Sequence, residues 1–402
     1  MIGVIADDLT GAAELGAVGL RHGLRAEIVR RGEPSGRADL VCVDTDSRSC
    51  EPAVAAKRAA AAAKLLRAAG AGWIYKKVDS VLRGQVTAEI EAVLKQLRLE
   101  RALLLPANPS LGRTIRDGQY FVQGKPIHKT EFARDPEYPR RSSQVVRLLQ
   151  EPENFLLRVV NGDRSLADGT IVIGEASSAA DVHGWAAFCG AETLPAGGSE
   201  FFNALLAAGT GLPPRRNRSL AENGTAEPPR PGAWAATSAR EFFISGTSAR
   251  QARQFALAAK RHKTPVFSLP LELAWGADFT AAAVAAVAQR VVAAFQASPR
   301  VILAVGLPPV RDVAIARELS RSVVRVAEQV MQAVAVTRVF AEGGATAAEL
   351  VRRMGWPRLA VLRELAPGVA TLAVEGGESI LLTIKPGTYA WPAEWTSGHA
   401  VW

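Results

Sequence analysis

Residues 2–16 read IGVIADDLTGAAELG. The opening IGVIA is an apolar run of the length of one buried strand, and helical character begins after Thr10 and Gly11. Between the two stand Asp7 and Asp8. A strand that ends in two carboxylates and turns at once into a helix is the start of a βα unit, and open α/β sheets bind their ligands at the carboxyl ends of strands. One acidic residue there is accounted for as a helix N-cap. Two in succession exceed what a cap needs, so Asp7, Asp8 and Thr10 are candidate site residues.

The same alternation runs outward from this unit. Strands are expected at Ala26–Val29, Leu40–Val43, Trp73–Val78 and Ala102–Leu105, with helices at 11–22, 52–69 and from Gln85 to Leu97. Strand, helix and strand in turn predict a parallel sheet covered by helices. Residues 108–139 loosen into Gly, Pro, Arg and Asp, and a long irregular stretch inside a compact domain is usually functional or disordered. Signals return at Ile171–Ile173, Ala179–Ala187 and 200–208. The Pro- and Gly-rich segment 209–236 has the composition of a linker or exposed excursion. Beyond it the pattern restarts, with strands at Phe242–Ser245, Val301–Val305, Val339–Phe340, Ala370–Val374 and Ile380–Ile384. Helices are expected at Ala249–His262, Ala281–Ala297, Ala314–Ala333 and Ala347–Met354. The expected fold is therefore α/β, with two domains, 1–236 and 237–402, each a mostly parallel sheet flanked by helices.

Composition narrows the classes. With 402 residues, 48% hydrophobic and 22% charged, the chain has an ordinary globular profile and length for two cores. A net charge of +9 raises nucleic acid as a partner, but the arginines are scattered and form no basic block, and no zinc or RNP-like motif occurs. A positive field of this kind equally concentrates small anions. Three cysteines, Cys42, Cys50 and Cys189, form no CxxC pair or disulfide framework, which points to a reducing compartment. Two aspartates interrupt the apolar N-terminus that a signal peptide would need, and no stretch of about 18 apolar residues follows. A cytoplasmic location, no membrane and no nucleic acid are expected.

Three further groups carry chemistry. In YKKVDSVLRG a strand delivers Lys76, Lys77, Asp79, Ser80 and Arg83; fork-shaped cations suit a carboxylate, and Asp and Ser can orient hydroxyls. Thr45, Asp46, Ser47 and Arg48 follow the strand ending at Val43 and offer another anion contact. The loose segment contributes Arg113, Asp117, His128, Lys129, Thr130, Glu131, Arg134 and Asp135, a polar wall or lid over a ligand. In the second half, three glycine turns follow strands: Ser245 with Gly246, Thr247 and Ser248; Gly343, Gly344 and Thr346; and Lys385 with Gly387. Glycine lets backbone N–H groups approach phosphates, so these turns point to a nucleotide. No Walker, Rossmann, protein-kinase or GxSxG motif is present.

Taken together the motifs resemble the four-carbon acid sugar kinase family. The matching residues are ADDLTGA (Ala6 to Ala12), DTDSR (Asp44 to Arg48), KKVDSVLRG (Lys76 to Gly84), the stretch from Pro106 to Pro136, SGTS (Ser245 to Ser248), EGGAT (Glu342 to Thr346) and ELAPGV (Glu364 to Val369). The resemblance implies ATP- and Mg2+-dependent phosphorylation of threonate, erythronate or 3-oxo-tetronate, in a cleft between a sugar-acid domain and a nucleotide domain. It assigns Asp7, Asp8, Arg48, Lys77, Asp79, Ser80 and Arg83 to the acid, with Asp7 or Asp8 as base and Arg83 and Lys77 on the carboxylate. It assigns Ser245, Gly343, Gly344, Thr346, Lys385, Pro386, Gly387 and Thr388 to ATP. A homodimer and the identity of any metal ligands are left open. Two departures stand out. Ala345 occupies the position of the family's aspartate in Gly-Gly-Asp-Thr, and Lys385–Ala390 replaces Lys-Ser-Gly-X-Phe-Gly. A non-catalytic sensor of sugar acid or nucleotide is the alternative that Ala345 raises.

Overall fold

The computed structural model describes residues 1–135, 137–161, 166–209, 239–247, 250–261, 263–307, 310, 312–375, 380–387 and 391. The chain divides into two compact units, Met1–Pro213 and Pro214–Trp402. The expected 209–236 excursion, from residue 210 on, and the expected boundary at 236/237 lie outside the described residues.

The first unit runs β1 (Ile2–Ala6), α1 (Leu9–Arg21), β2 (Ala26–Val29), β3 (Leu40–Asp44), α2 (Pro52–Ala68), β4 (Trp73–Lys77), α3 (Val86–Leu97) and β5 (Arg101–Leu105). Then come β6 (Arg113–Arg116), β7 (Gln119–Val122), β8 (Lys125–Pro126), β9 (Leu156–Val160), β10 (Thr170–Gly174), α4 (Ala179–Phe188), β11 (Thr193–Gly197) and α5 (Ser199–Ala208). Eight strands form a parallel sheet in the order β2-β3-β1-β4-β11-β5-β10-β9. The strands read as near-continuous apolar runs because both faces are covered: Val4, Ile5, Ile28, Cys42, Leu103 and Val172 are all buried. After β1 the chain moves outward to β2, returns through β3 and then crosses to β4 on the other side. β1 is thus the switch point of the sheet, and Asp7 and Asp8 leave its carboxyl end.

One expectation needs correcting here. Residues 108–139 are not irregular throughout: β6, β7 and β8 form a small antiparallel sheet. Asp117 and Gly118 take φ of 52° and 69°, and Gln123 and Gly124 take 51° and 73°. Two consecutive positive φ values define the tight turn that matches the twist of a two-residue hairpin. Strands β9 and β11 were also not anticipated.

The second unit runs β12 (Glu241–Ser245), α6 (Arg250–Arg261), β13 (Val266–Ser268), α7 (Ala281–Ala297), β14 (Arg300–Ala304), α8 (Val313–Ala333), β15 (Arg338–Glu342), α9 (Gly344–Arg353), β16 (Arg358–Ala366), β17 (Val369–Val374) and β18 (Leu381–Lys385). Strands β13-β14-β12-β15-β18 are parallel, and β17 runs antiparallel to β18 and β16. Its core includes a stack of Phe243 on Phe340, with ring centroids 4.2 Å apart. β15 extends to Glu342 and α9 begins at Gly344, so Gly344 and Thr346 belong to the first helical turn rather than to an open loop before residue 347. The Glu-Gly-Gly-Glu turn expected at 375–378 lies, from residue 376, outside the described residues.

Candidate functional site

In the first unit the carboxyl ends of three neighbouring strands, β3, β1 and β4, bring together the residues that the motifs singled out. The centre is Arg48. Its Nε and Nη2 donate to the Asp7 carboxylate at 2.7 and 3.0 Å, and its Nη1 donates to Asp8 Oδ2 at 2.7 Å, with Asp79 Oδ1 3.7 Å away. The turn that carries Arg48 is fixed by its own backbone, whose Ser47 and Arg48 N–H groups donate to the Asp7 carbonyl.

The two neighbouring aspartates meet different environments. The Asp7 side chain is 4% exposed, that of Asp8 21%. Burial works to raise Asp7, but the Arg48 guanidinium and the charges of Lys76 and Lys77 outweigh it and hold the carboxyl below its usual range. For Asp8, burial and the adjacent Asp7 charge prevail over Arg48, and its pKa is raised. Asp8 is also the N-cap of α1: Oδ1 accepts from the Gly11 N–H at 2.7 Å. One oxygen is thereby tied to the helix and the other to Arg48.

Asp79 and Arg83 form a bidentate pair at 2.8 and 3.0 Å, and Asp79 Oδ2 also accepts the Val81 and Arg83 backbone N–H groups. Although burial opposes it, the charges of Arg83 and Arg48 hold Asp79 well below the carboxylate range. The turn holds Leu82 at φ 63°, a left-handed conformation uncommon for a bulky residue and typical of functional sites. Gly84 follows at φ 90°, where a Cβ would stand 3.3 Å from Asp7 Oδ2 and 3.4 Å from Arg48 Cγ, so the close approach requires glycine. Lys77 Nζ donates to the Val78 carbonyl at 2.8 Å and lies 3.4 Å from Glu14 Oε2. Ser80 Oγ accepts from Arg113. Arg83 Nη1 reaches Asp135 at 3.4 Å, and Tyr138 donates through its hydroxyl to the Arg48 carbonyl. The segment after β8 is thus tied to both turns. His128 pairs with Ser143 and, among the described residues, with none of the cluster.

Below these turns runs a buried polar chain that the motifs did not disclose. Lys76 Nζ, fully buried, is 2.8 Å from Glu89 Oε2 and 2.6 Å from the Lys77 carbonyl. Glu89 accepts from Ser47 Oγ, which meets Thr45 Oγ1 at 2.7 Å, and Thr45 donates to the Ala6 carbonyl at 2.8 Å. Glu14 lies three residues after Gly11, on the helix face above Lys77, so helical spacing alone could have found it. Nothing local marks Glu89 or Tyr138.

In the second unit the three glycine turns do come together, because β12, β15 and β18 are neighbours in register. Ser245 pairs with Glu342, and Glu342 with Lys385. Ser245 Oγ donates to Glu342 Oε2 at 2.8 Å, and Lys385 Nζ is 2.7 Å from Glu342 Oε1. Burial lowers the Lys385 pKa despite that pairing. Lys385 Nζ also donates to the Pro386 carbonyl, and Gly387 lies beside Thr247. Gly343, at φ 102°, is the N-cap of α9 and provides no side-chain cap. The first-turn N–H groups of α9 therefore have no side-chain acceptor at the cap, the usual setting for a phosphate. Thr346 Oγ1 lies 3.0 Å from Ser320 Oγ. Thr388 and Ser248 lie outside the described residues.

One unit has a strand-end cluster of carboxylates and cations, and the other has glycine corners and an uncapped helix, the arrangement of a two-module α/β protein. Residues 2–205 match the sugar-binding N-terminal domain model and residues 243–389 the nucleotide-binding C-terminal domain model. The chain belongs to the four-carbon acid sugar kinase family that these two domains build. It is 27% identical over 414 residues to the 3-oxo-tetronate kinase of Methylobacterium radiotolerans, covering 96% of each chain. It is 36% identical over 149 residues to the D-threonate kinase of Salmonella typhimurium, covering 36% of this chain and 35% of that enzyme. With the D-erythronate kinase of Heliobacterium modesticaldum it shares 35% over 142 residues, 34% of this chain and 32% of that enzyme. The last two matches therefore span only about a third of the relatives' length. Crystal structures of a Salmonella typhimurium LT2 protein (TM-score 0.72, 19% identity, 97% and 96% coverage) and a Haemophilus influenzae protein (0.68, 20%, 99% and 100%) share the fold.

Proposed function

We propose that the protein transfers the γ-phosphate of ATP to a hydroxyl of a small, four-carbon sugar acid of the threonate, erythronate or 3-oxo-tetronate type. The observation that carries this reading is Asp8: a part-exposed carboxylate with a raised pKa, fixed at the switch point of the sheet in contact with Arg48 and within the field of Lys77. A general base gains from a higher basicity, so the upward shift at Asp8, caused by burial and the neighbouring Asp7 charge, favours that role.

In this reading Asp8 accepts the proton of the attacking hydroxyl through Oδ2, while Oδ1 stays on the helix cap. The hydroxyl oxygen bonds to the γ-phosphorus, the bond from that phosphorus to the β,γ-bridging oxygen breaks, and ADP leaves. Positioning and electrostatics do most of the work in such transfers. Asp7 holds Arg48, and Arg48 holds Asp8. Lys77, Ser80 and Arg83 receive the acid's carboxylate and hydroxyls. The amides of the first turn of α9, Ser245 and the Lys385–Gly387 turn receive the phosphates. Magnesium enters with the nucleotide as MgATP. Among the described residues no group of three His, Cys, Asp or Glu side chains could hold a metal ion, and Glu342 is already committed to Ser245 and Lys385. No step is therefore assigned to a protein-held ion.

A coupled ADP-release assay against D-threonate, D-erythronate and 3-oxo-tetronate tests the reading. Acid-dependent ADP release by the native protein supports it. Binding of acid and nucleotide with no release would favour the sensor that Ala345 raises.

A further inference from the structure

We infer that Arg140 is a substrate-recognition residue, joining Arg83 to hold the carboxylate of the acid; the inference rests on the sugar-acid reading above. Lys77, Arg48 and Arg83 each face a protein carboxylate: Glu14, the Asp7 and Asp8 pair, and Asp79 with Asp135. Arg140 does not. Only 6% of the residue is exposed, yet among the described residues no carboxylate oxygen lies within 4.0 Å of it and its Nε has no hydrogen-bond partner. Its Nη1 donates to the Leu148 carbonyl at 3.2 Å, and the guanidinium carbon lies 5.7 Å from the centroid of the Tyr138 ring.

Its surroundings are those of the acid site. Tyr138 donates to the Arg48 carbonyl, Asp135 in the same segment pairs with Arg83, and the charges felt at the Arg140 guanidinium are chiefly those of Asp79, Asp135 and Arg83. A guanidinium stays protonated in a protein, so burying one with no carboxylate in direct contact costs free energy that a carbonyl contact, a ring and more distant charges offset only in part. An arriving carboxylate removes that cost and takes a paired geometry that arginine favours. The Arg140 backbone N–H is separately anchored to the Phe132 carbonyl at 2.9 Å, so the chain path does not depend on the side chain.

The test uses Arg140→Gln, which keeps a donor for the Leu148 carbonyl but loses the charge, and Arg140→Lys, which keeps the charge. Native protein and variants are titrated calorimetrically with whichever of D-threonate, D-erythronate and 3-oxo-tetronate binds tightest. The same proteins are assayed with that acid and with the neutral alditol threitol. Arg140→Gln is expected to weaken acid binding and raise its KM roughly 10- to 100-fold, the loss of one charge-assisted contact, with kcat within about threefold. The preference for acid over alditol falls by the same factor, and Arg140→Lys recovers part of it. Acid affinity in Arg140→Gln equal to the native value overturns the inference. So does equal damage in both variants with acid and alditol alike, which marks a structural role. If the native protein binds the acid without phosphorylating it, the kinase reading fails, and the calorimetric comparison still decides Arg140. If it binds none of the three acids, both fail.

Discussion

Asp7 and Asp8 are adjacent in sequence and differ in what surrounds them. Asp7 accepts from Nε and Nη2 of Arg48, whereas Asp8 accepts from Nη1 through one oxygen and from the Gly11 amide of the helix cap through the other, and keeps a fifth of its side chain exposed. Asp8→Asn should lower kcat by about 10²- to 10⁴-fold, the span of a lost general base. Because Asn caps helices as well as Asp, its melting temperature should stay near the native value, which a thermal melt checks. Two other carboxylates give opposite pH signatures. Asp79 is held below its unfolded value of about 3.9, so its contribution to stability is present above that pH and lost on acidification. Asp44, buried under Arg30 and near the charges of Asp46 and Asp8, is pushed up to about 6. The folded protein holds that proton more tightly, so stability falls as pH rises from about 4 to about 6. Urea unfolding from pH 3 to 7 should show a rising component that Asp79→Asn removes and a falling one that Asp44→Asn removes. Asp8, Arg48 and Arg83 were legible as candidates because each sits in a short motif at a strand end. Arg140 and Glu89 were not, since what identifies them is a partner or its absence far along the chain.

Elements place these residues, and two of them invite direct tests. Lys76 at the end of β4 and Glu89 in the first turn of α3 form a fully buried pair that reaches through Ser47 to the turn carrying Arg48. Removing one partner leaves a lone buried charge, so Lys76→Met should cost about 3–5 kcal/mol in urea unfolding. In the second unit, Gly343 at φ 102° sets the start of α9. An alanine there costs on the order of 1–3 kcal/mol of backbone strain and shifts the first-turn amides. Gly343→Ala should weaken ATP binding at least tenfold by calorimetry while leaving acid binding unchanged. Most strands of both sheets were visible as apolar runs, from Ile2–Ala6 to Leu381–Lys385. The hairpins β6–β7 and β7–β8 were missed although Asp117-Gly118 and Gln123-Gly124 are turn pairs, because their strands are only two to four residues long. β9 escaped because it is an edge strand whose side chains are half exposed, and Pro195 within β11 argues against a central strand.

Each unit repeats one plan: three neighbouring parallel strands end in a row of polar and charged side chains, with carboxylates and guanidinium groups in one unit and Ser245, Glu342 and Lys385 in the other. That plan was readable from strand–helix alternation, whereas the register that aligns Ser245, Glu342 and Lys385 was not, since pairing between distant strands leaves no local mark. A net charge of +9 should draw both anionic substrates, so kcat/KM is expected to fall by roughly a factor of three to ten between 0.05 and 0.5 M NaCl while kcat holds, as steady-state kinetics at several ionic strengths would show. Phosphoryl transfer to the acid itself is the central proposed event. Phosphorus NMR of the native protein with MgATP and D-threonate, D-erythronate or 3-oxo-tetronate follows that transfer directly. A phosphomonoester of one acid accumulating in step with ADP is the predicted result, and ATP left intact, or converted only to ADP and inorganic phosphate, would contradict it.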